Sequence, residues 1–529
     1  PSGADGEGSS LELIHPELGN RAGVSWRASS GDDGTPGVRN SAYVPDPSPS
    51  VRSVKHSPAV PRSDETVVVT CDISSVDELT EVEVQWSVGG GASGTSPLRD
   101  DGKGADEVAG DGEYSASIAA QDDGDVVRFS VVAASGGGRT RLPLEPEADP
   151  FRNFQGVFFL YEVDNSTAPS TGAEVFRIVM NPNDSDELED RDEDSNVLLP
   201  ATLICDGEIF YCVGVRYRGE NSRQLNNKAF KIRFAPEDSC KGIRNMNLLA
   251  GNGNDFGTST FTELLSSDLY RRMGEPYPQE WNAVLHFPGI VGRDFDTRYI
   301  RKEAYDEEFL DRFFAGNAQG NLYRPMDPGG LGGFGGRSRM GDLEYFGEDV
   351  DDYRQVYDKK TNQDEDDFSD VIALTRLFDS GETSQAEFRQ RAEEMLDVRQ
   401  WARFFAVMAC ITNSDGGIWN DGGEDYFLYH MPADADRPDA GKWLILCWDL
   451  EETFTGSNER LFRPESDALV RFFAVPEFAR LYYQELIKAR RGVFSRGQMR
   501  QRYGYADVMF APEDVYDVVD ETDTTVTER

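Results

Sequence analysis

The sequence predicts an α+β protein in which an all-β sandwich precedes a larger domain of mixed strands and helices. Short alternating strands separated by Gly and Asp turns fill residues 57–140, which is the spacing of a β-sandwich. From 150 to 510, strand patterns are mixed with helical ones. At 529 residues the chain is too long for one hydrophobic core, so two or three domains are expected.

The two ends of the chain have the composition of linkers. Residues 1–56 are rich in Gly, Ser, Asp and Pro, and we expect a linker or the tail of a preceding module. Residues 511–529 are acidic and are expected to be disordered. The chain opens on PSGADGEGSS without an initiator Met or a signal peptide, which suggests a piece of a longer precursor. It contains no run of 18 apolar residues, so no transmembrane segment is expected.

The charge of the chain is strongly negative. Its 96 acidic and 53 basic residues give a formal net charge of -43. Such a surface repels nucleic acid and anionic membranes, so no nucleic-acid partner is expected, and it is typical of proteins in saline or extracellular surroundings. A polyphosphate site must therefore recruit metal ions or a local cluster of Lys and Arg.

Cysteine and histidine usage excludes several kinds of site. The six cysteines contain no CxxC pair and do not form the pattern of a disulfide framework, so we expect most of them to be small buried residues. The four histidines have no metal-ligand spacing. A zinc hydrolase and a His-dependent catalytic triad are therefore disfavoured.

The sandwich stretch carries strands at TVVVTCDI, EVEVQWSV, GEYSASIAA and DVVRFSVVAA. One turn, DDGKGADEVAGDGEY, crowds four carboxylates among glycines: Asp100, Asp101, Asp106 and Asp111. Carboxylates so grouped can hold Ca²⁺, but acidic residues are also what solvated turns prefer. We favour the plain turn and keep calcium as the alternative.

In the larger domain, the segment VGVRYRGENSRQLNNKAFKIRF predicts a strand, a polar loop and a second strand. Alternation places Lys228 on the face of Phe230 and Ile232, where an ammonium group needs a phosphate or a buried glutamate as partner. Alternatively, Lys228 lies at the strand end and reaches water. Arg218 and Ser222, with their neighbours in the loop, offer positive charge and flexible backbone to phosphate oxygens.

Glu303 lies where the strand RYIRKE enters a helix. It is a candidate partner for Lys228, although glutamate in the first turn of a helix is also favoured simply by the helix dipole.

Three further carboxylates lie at the ends of buried elements. The segment DVRQWARFFAVMACITN predicts an amphipathic helix with Asp397 as N-cap, and Asp415 follows it. Asp425 and Asp449 flank the predicted strand pair EDYFLYH and KWLILCWDL. Carboxylates in such places usually hold a cation or a proton, so Asp425 and Asp449 are candidate Mg²⁺ ligands, and Asp415 could orient a hydroxyl nucleophile.

Across residues 152 to 490 the chain resembles the spore coat protein H (CotH) kinase family. The matching segments, in the family's order, are VGVRYRGENSRQLNNKAFKIRF, MNLLAGNGNDFGTSTFTELLSSDLYRRMG, KEAYDEEFLDRFF, VYDKKTNQDEDDFSDVIAL, LDVRQWARFFAVMACITNSDG, EDYFLYH and KWLILCWDLEETFTG. The resemblance implies an atypical protein-kinase-like fold in a secreted or cell-surface bacterial protein, with ATP and Mg²⁺ as cofactors.

Carried onto this sequence, the resemblance implies that Lys228 contacts phosphate and that Glu303 pairs with it. It also implies that Asp415 is the catalytic aspartate and that Asp449 binds the metal. Asp425 stands where family members usually carry Asn.

A second departure is Glu451, which stands where the family usually has another aspartate. These departures leave two functions open. One is a kinase that transfers the γ-phosphoryl group of ATP to Ser or Thr of a protein partner. The other is a catalytically weak or inactive kinase-like module of a surface or coat assembly. A glycan hydrolase with a carboxylate pair is disfavoured, because the sequence offers no aromatic platform for sugar.

Overall fold

The computed structural model describes the chain at residues 8–20, 23–89, 91–143, 157–169, 172–219, 223, 227–236, 238–250, 256–295, 297–316, 318–326, 340–413, 417–419, 423–434, 436–437, 439–454, 461–462, 464–495 and 498–499. Of residues 24 and 256–259 only the backbone is described. Three predictions fall outside these ranges, namely those for Ser222, Asp415 and the tail 511–529.

The described residues contain strands and helices in the following order. The strands are β1 (Leu11–Leu13), β2 (Trp26–Ala28), β3 (Ser50–Ser57), β4 (Val67–Ser74), β5 (Leu79–Val88), β6 (Ser93–Pro97), β7 (Glu113–Ile118), β8 (Val126–Ser135), β9 (Gly138–Leu142), β10 (Phe159–Glu162), β11 (Glu174–Met180), β12 (Leu199–Cys205), β13 (Glu208–Arg218), β14 (Ala229–Arg233), β15 (Asn245–Ala250), β16 (Glu280–His286), β17 (Arg298–Glu303), β18 (Asn321–Pro325), β19 (Tyr357–Lys359), β20 (Tyr426–His430) and β21 (Trp443–Cys447). The helices are α1 (Pro182–Asp190), α2 (Phe256–Met273), α3 (Glu307–Phe314), α4 (Val350–Arg354), α5 (Ser369–Phe378), α6 (Gln385–Met395), α7 (Val398–Ile411), α8 (Asp467–Phe473) and α9 (Pro476–Arg491).

A β-sandwich forms the N-terminal part. One sheet has the order β3-β4-β7, and the other has the order β10-β8-β5-β6 with β9 also on β8. Alternate residues of β4, among them Val67 and Val69, pack against alternate residues of β8, such as Phe129. The sandwich includes more of the chain than the predicted residues 57–140. Most of β3 lies in the stretch interpreted as a linker, and β10 lies beyond residue 140.

A closed barrel of seven strands follows, in the order β11-β12-β13-β14-β15-β17-β16. Its neighbouring strands are antiparallel, except that β11 and β16 are parallel. Strand alternation sends Phe230 and Ile232 of β14 into the apolar interior, which leaves Lys231 on the outer face. Helix α2 packs against the outer face of β15, β16 and β17.

The remaining sheet and helices enclose the largest core. The sheet has the order β19-β18-β20-β21, and α7 crosses it with Trp401, Phe404 and Phe405 buried. Asp397 caps α7 as predicted, because its Oδ1 accepts the N–H of Gln400 at 3.0 Å. The described part of the chain contains both α and β structure, as the sequence predicted, and none of its helices has the length and apolar character needed to cross a membrane.

Sandwich and barrel are joined by a group of charges that we call the junction cluster: the buried residues Glu162, Asp164, Arg177 and His286, and the partly exposed Arg293. His286 is fully buried, with Nε2 2.7 Å from a Glu162 oxygen. Arg293 lies 3.1 Å from both carboxylates, and Arg177 pairs with Asp164. Burial opposes ionisation of Asp164, but hydrogen bonds from Ser166 and Arg177 outweigh it and hold the pKa at about 2.

Candidate functional site

The strand pair predicted from EDYFLYH and KWLILCWDL is present. Tyr426 lies opposite Cys447 in the antiparallel pair β20 and β21, so Asp425 at the start of one strand and Asp449 after the other lie at the same edge of the sheet. Both aspartates have positive φ, 60° and 50°. A non-glycine residue in this conformation costs energy, and such residues cluster at functional sites.

A buried lysine lies beside this edge. Lys302 of β17 is 1% exposed, and its Nζ contacts Glu263 and lies 3.0 Å from Glu280. The same Nζ lies 4.4 Å from the centre of the Trp448 ring. A lysine this deeply buried stays charged because its carboxylate partners outweigh the cost of burial, and they raise its pKa.

Helix α2 fixes the segment that follows Asp449. Glu263 accepts the N–H of Leu450 at 2.5 Å, so one carboxylate binds both Lys302 and the backbone beside Asp449. Two further hydrogen bonds hold α2 against the segment after Asp449. Thr262 donates to the Glu451 carbonyl at 2.8 Å, and the hydroxyls of Ser266 and Thr453 are 2.9 Å apart.

Four carboxylates gather here, and we call them the acidic cluster: Glu263, Glu280, Asp449 and Glu451. Burial, and next the charge of Glu263, raises the pKa of Asp449. Burial together with Asp449 raises the pKa of Glu451 to about 8, and burial raises that of Glu280 to about 8. Burial first, and then repulsion between the carboxylates, favours their protonated forms, so a proton or an added cation would stabilise the cluster.

A set of cations lies on the outer face of the barrel, and we call it the cationic face: Arg216, Arg218 and Lys231. Arg216 and Lys231 are cross-strand neighbours on β13 and β14. Burial lowers the pKa of Lys231 to about 8 and those of both arginines to about 10. Three crowded cations with lowered pKa values would be stabilised by an anion such as phosphate.

The cationic face meets the acidic cluster at Arg218. Its guanidinium lies 5.8 Å from the centre of the Trp448 ring and attracts Asp449 electrostatically. Arg324 of β18 also attracts Asp449. Positive and negative groups are thus arranged side by side, which is the arrangement that a metal-bound phosphate requires.

The predicted pairing of Lys228 with Glu303 is wrong. The ammonium of Lys228 donates to Glu193 and to the Arg223 carbonyl, both at 2.5 Å. Glu303 instead accepts from the Arg312 Nε at 2.9 Å. The reason is strand geometry: β14 begins at residue 229, so Lys228 reaches the loop before β12, and Glu303 faces away from its neighbour Lys302.

The sequence analysis missed Glu263, Glu280, Lys302 and Lys231 as site residues. Two signals were available. Alternation already placed Lys231 opposite to the apolar face of β14, and Glu263 interrupts the buried stripe of α2. Neither signal could reveal that Glu263 and Lys302 lie close enough to Asp449 to shift its pKa. Arg218 and Asp449 lie in the site, and Asp425 lies at its edge.

The acidic turn of the sandwich groups Asp100, Asp106 and Asp111, whose carboxylate oxygens lie within 4.8 Å of one another. Their oxygens are already hydrogen-bonded within the turn: Asp100 accepts from Gly112 N at 3.0 Å, and Asp106 accepts from Gly102 N at 2.5 Å. Such bonds are the usual role of aspartate in a solvated turn. Calcium stays an untested alternative.

Comparison with solved structures gives no argument about the fold. The Br derivative of BhCBM56 is 16% identical, with a TM-score of 0.13, over 22% of this chain and 94% of that one. An uncharacterised Listeria monocytogenes EGD-e protein is 14% identical, with a TM-score of 0.15, over 39% of this chain and 16% of that one. Titin kinase with its flanking domains is 10% identical, with a TM-score of 0.11, over 50% of this chain and 38% of that one.

Comparison of sequences is more informative. Inner spore coat protein H of Bacillus subtilis (strain 168) is 25% identical over 242 residues, which are 46% of this chain and 59% of that protein. The chain thus spans about three fifths of the length of that relative. The model of the CotH kinase protein family matches residues 215–525, more than half of the chain and all of the site described above. The chain belongs to the CotH kinase protein family.

Proposed function

We propose that this protein is an atypical kinase that uses Mg²⁺ and ATP and transfers the γ-phosphoryl group to Ser or Thr of a protein partner. The contact that carries the proposal is the double role of Glu263, which pairs with Lys302 and binds the backbone N–H beside Asp449. In protein kinases a lysine–glutamate ion pair and the metal-binding aspartate must be in place together. Here one side chain joins them.

The donor set suits Mg²⁺. Asp449 and Glu451 supply the carboxylate oxygens that this ion prefers, and a bound cation would offset the burial and mutual repulsion that raise the pKa of both. Glu451 therefore serves in place of the aspartate usual in the family. Bound Mg²⁺ and ATP would supply the transferable phosphoryl group and the charge that stabilises its transfer.

The remaining roles follow from position. Lys231 and Arg218 hold phosphate oxygens, because both are half-buried cations of the cationic face, and Arg218 interacts electrostatically with Asp449. Lys302 is a positioning residue that holds Glu263 and Glu280 together. Asp415, as catalytic aspartate, and Ser222, as a phosphate contact, keep the roles that the family resemblance implies.

We also propose a place and a partner. A bacterial spore coat or cell surface is supported by the name of the Bacillus subtilis relative, and a protein in the same layer is the expected phosphate acceptor. The negative net charge fits such a solvated location and disfavours nucleic acid as a partner.

The test measures transfer of labelled phosphate from ATP to the protein itself, with and without Mg²⁺. We expect labelling of the parent chain, and a loss of about 100-fold or more in Asp449→Asn and Asp415→Asn. Asp186→Asn, at an exposed position of α1, is the matched control and should label like the parent.

Binding separates the two remaining functions. A kinase-like module that acts only in assembly would show neither labelling nor a rise in melting temperature with Mg²⁺ and ATP. That pair of results would overturn the proposed enzyme. A rise in melting temperature without labelling would support nucleotide binding but contradict phosphoryl transfer.

A further inference from the structure

Cys205 and Cys240 face each other where β12 ends and where the connection from β14 to β15 returns to the barrel. Their Sγ atoms are 2.6 Å apart. Nonbonded carbon atoms, which are smaller than sulfur, rest about 3.5–4.0 Å apart, whereas the two sulfurs of a disulfide are about 2.05 Å apart. We propose that Cys205 and Cys240 form a disulfide bond in the mature protein.

The backbone presents the two cysteines in the same way. The segments CDGE at 205–208 and CKGI at 240–243 are both two-residue turns in which the cysteine pairs with the fourth residue. The central residues of both turns have positive φ, 49° and 88° in the first and 56° and 78° in the second. These angles are those of type I′ turns, which have a rigid geometry. Each cysteine is therefore held by a tight turn and not by a loose loop.

An ion pair joins the same two turns at the next position. The Nζ of Lys241 lies 2.9 Å from an oxygen of Asp206. Both side chains are partly exposed, whereas Cys205 and Cys240 are buried beneath them, 2% and 0% exposed. The turns are thus aligned residue by residue, with a charged pair outside and a sulfur pair inside.

Cys71 and Cys447 lie in other surroundings. Cys71 is buried in the core of the sandwich, far along the chain from the two turns. The Sγ of Cys447 lies 3.9 Å from the Pro276 carbonyl. The expectation of small buried cysteines is therefore revised for one pair, and Cys71 and Cys447 serve as internal controls.

The chemistry is a two-electron oxidation. Each thiol loses one proton and one electron as the S–S bond forms, and the disulfide of an external protein or small-molecule oxidant takes them up and leaves as two thiols. Because the fold buries both sulfurs, the exchange must occur before folding is complete. The bond closes a loop that contains β13 and β14, and therefore Arg218 and Lys231. It also requires an oxidising compartment during maturation.

The decisive experiment maps the thiols of the full chain, produced by secretion into an oxidising compartment and purified without reductant. The protein is unfolded in guanidinium with N-ethylmaleimide and a chelator, digested and analysed by mass spectrometry. We expect a cross-linked peptide pair carrying Cys205 and Cys240, with Cys71 and Cys447 alkylated. Alkylation of both Cys205 and Cys240 would overturn the proposal, and it would do so even if a metal ion had held the two thiolates.

Stability provides the second readout. The chain is reduced in denaturant, refolded with reductant and compared with the unreduced chain. We expect the melting temperature to fall by about 5 °C or more, because the bond restricts the unfolded state. The Cys205→Ser, Cys240→Ser double variant should lose this response, and Cys410→Ser should keep it. Equal melting temperatures for the reduced and unreduced parent would contradict the proposal.

Discussion

Two buried groups of charges in this protein use the same residue types with opposite electrostatic results. In the junction cluster, Glu162 and Asp164 face Arg177 and Arg293, and the pKa of Asp164 is lowered to about 2. In the acidic cluster, four carboxylates surround Lys302, and those of Glu280 and Glu451 have pKa values raised to about 8. A balanced cluster is complete as a structural element, whereas buried carboxylates with raised pKa values are candidates for binding a cation.

The largest expected effect tests the balanced cluster. Asp164→Asn should lower the free energy of unfolding by about 3–5 kcal/mol, because it leaves two arginines with one buried carboxylate fewer. Urea unfolding followed by circular dichroism measures this loss. Asp186→Asn, at an exposed position, should change stability by no more than about 0.5 kcal/mol. A loss below about 1 kcal/mol at Asp164 would show that its charge contributes little.

The same substitution in the acidic cluster should have the opposite sign. Asp449→Asn should leave the protein without nucleotide at least as stable as the parent, because it removes a charge that burial, and next the charge of Glu263, disfavours. It should also abolish the thermal shift caused by Mg²⁺ and ATP. Urea unfolding and melting curves report the two effects. A loss of stability as large as that of Asp164→Asn would refute the distinction between the clusters.

The two clusters should also respond to pH in opposite directions. Glu280 has a folded pKa of about 8, above its ordinary 4.5, so its contribution to stability is present below pH 4.5 and is lost as pH rises through about 8. For Asp164, lowered from 3.8 to about 2, the contribution is present above pH 3.8 and is lost as pH falls through about 2. Between pH 6 and pH 9 the parent should therefore lose about 1–2 kcal/mol more than Glu280→Gln. Urea unfolding at both pH values tests this, and equal losses would contradict it.

A smaller effect distinguishes the two lysines near β14. If the proposed function holds, Lys231→Ala should weaken the binding of Mg²⁺ and ATP about tenfold, because it removes the ammonium group proposed to contact phosphate. Lys228→Ala should change binding less than about twofold, since its ammonium is already bound to Glu193 and to a carbonyl. Isothermal titration calorimetry measures both. A larger effect at Lys228 than at Lys231 would restore the role that the family resemblance implied.

The smallest effect is expected in the sandwich turn. Chelation of calcium with EGTA should move the melting temperature by less than about 1 °C, because Asp100 and Asp106 already accept backbone N–H groups. Differential scanning calorimetry with excess Ca²⁺ or EGTA tests this. A shift of several degrees, lost in Asp106→Asn, would favour a calcium site.

Much of the architecture was predictable because it depends on local patterns. The strands of the sandwich, the barrel strand AFKIRF and the helix capped by Asp397 follow from periods of two and 3.6 residues and from a capping side chain. The placement of Asp425 and Asp449 at one sheet edge also followed, since both flank strands that pair with each other. Boundaries were less accurate, as β3 and β10 show, because strands that complete a sheet are selected by their partners.

The sequence by itself determined the α+β class, the family and the residues available for the site. Only the tertiary structure decided which of them meet. Glu263 is 39 residues from Lys302 and 187 from Leu450, and closure of the barrel together with the packing of α2 brings them into contact. Neighbouring residues of a strand point to opposite faces, so Lys302 faces Glu263 whereas Glu303 points to the other side of β17. Burial and the sum of neighbouring charges set the pKa of each carboxylate, and these quantities exist only in the folded chain.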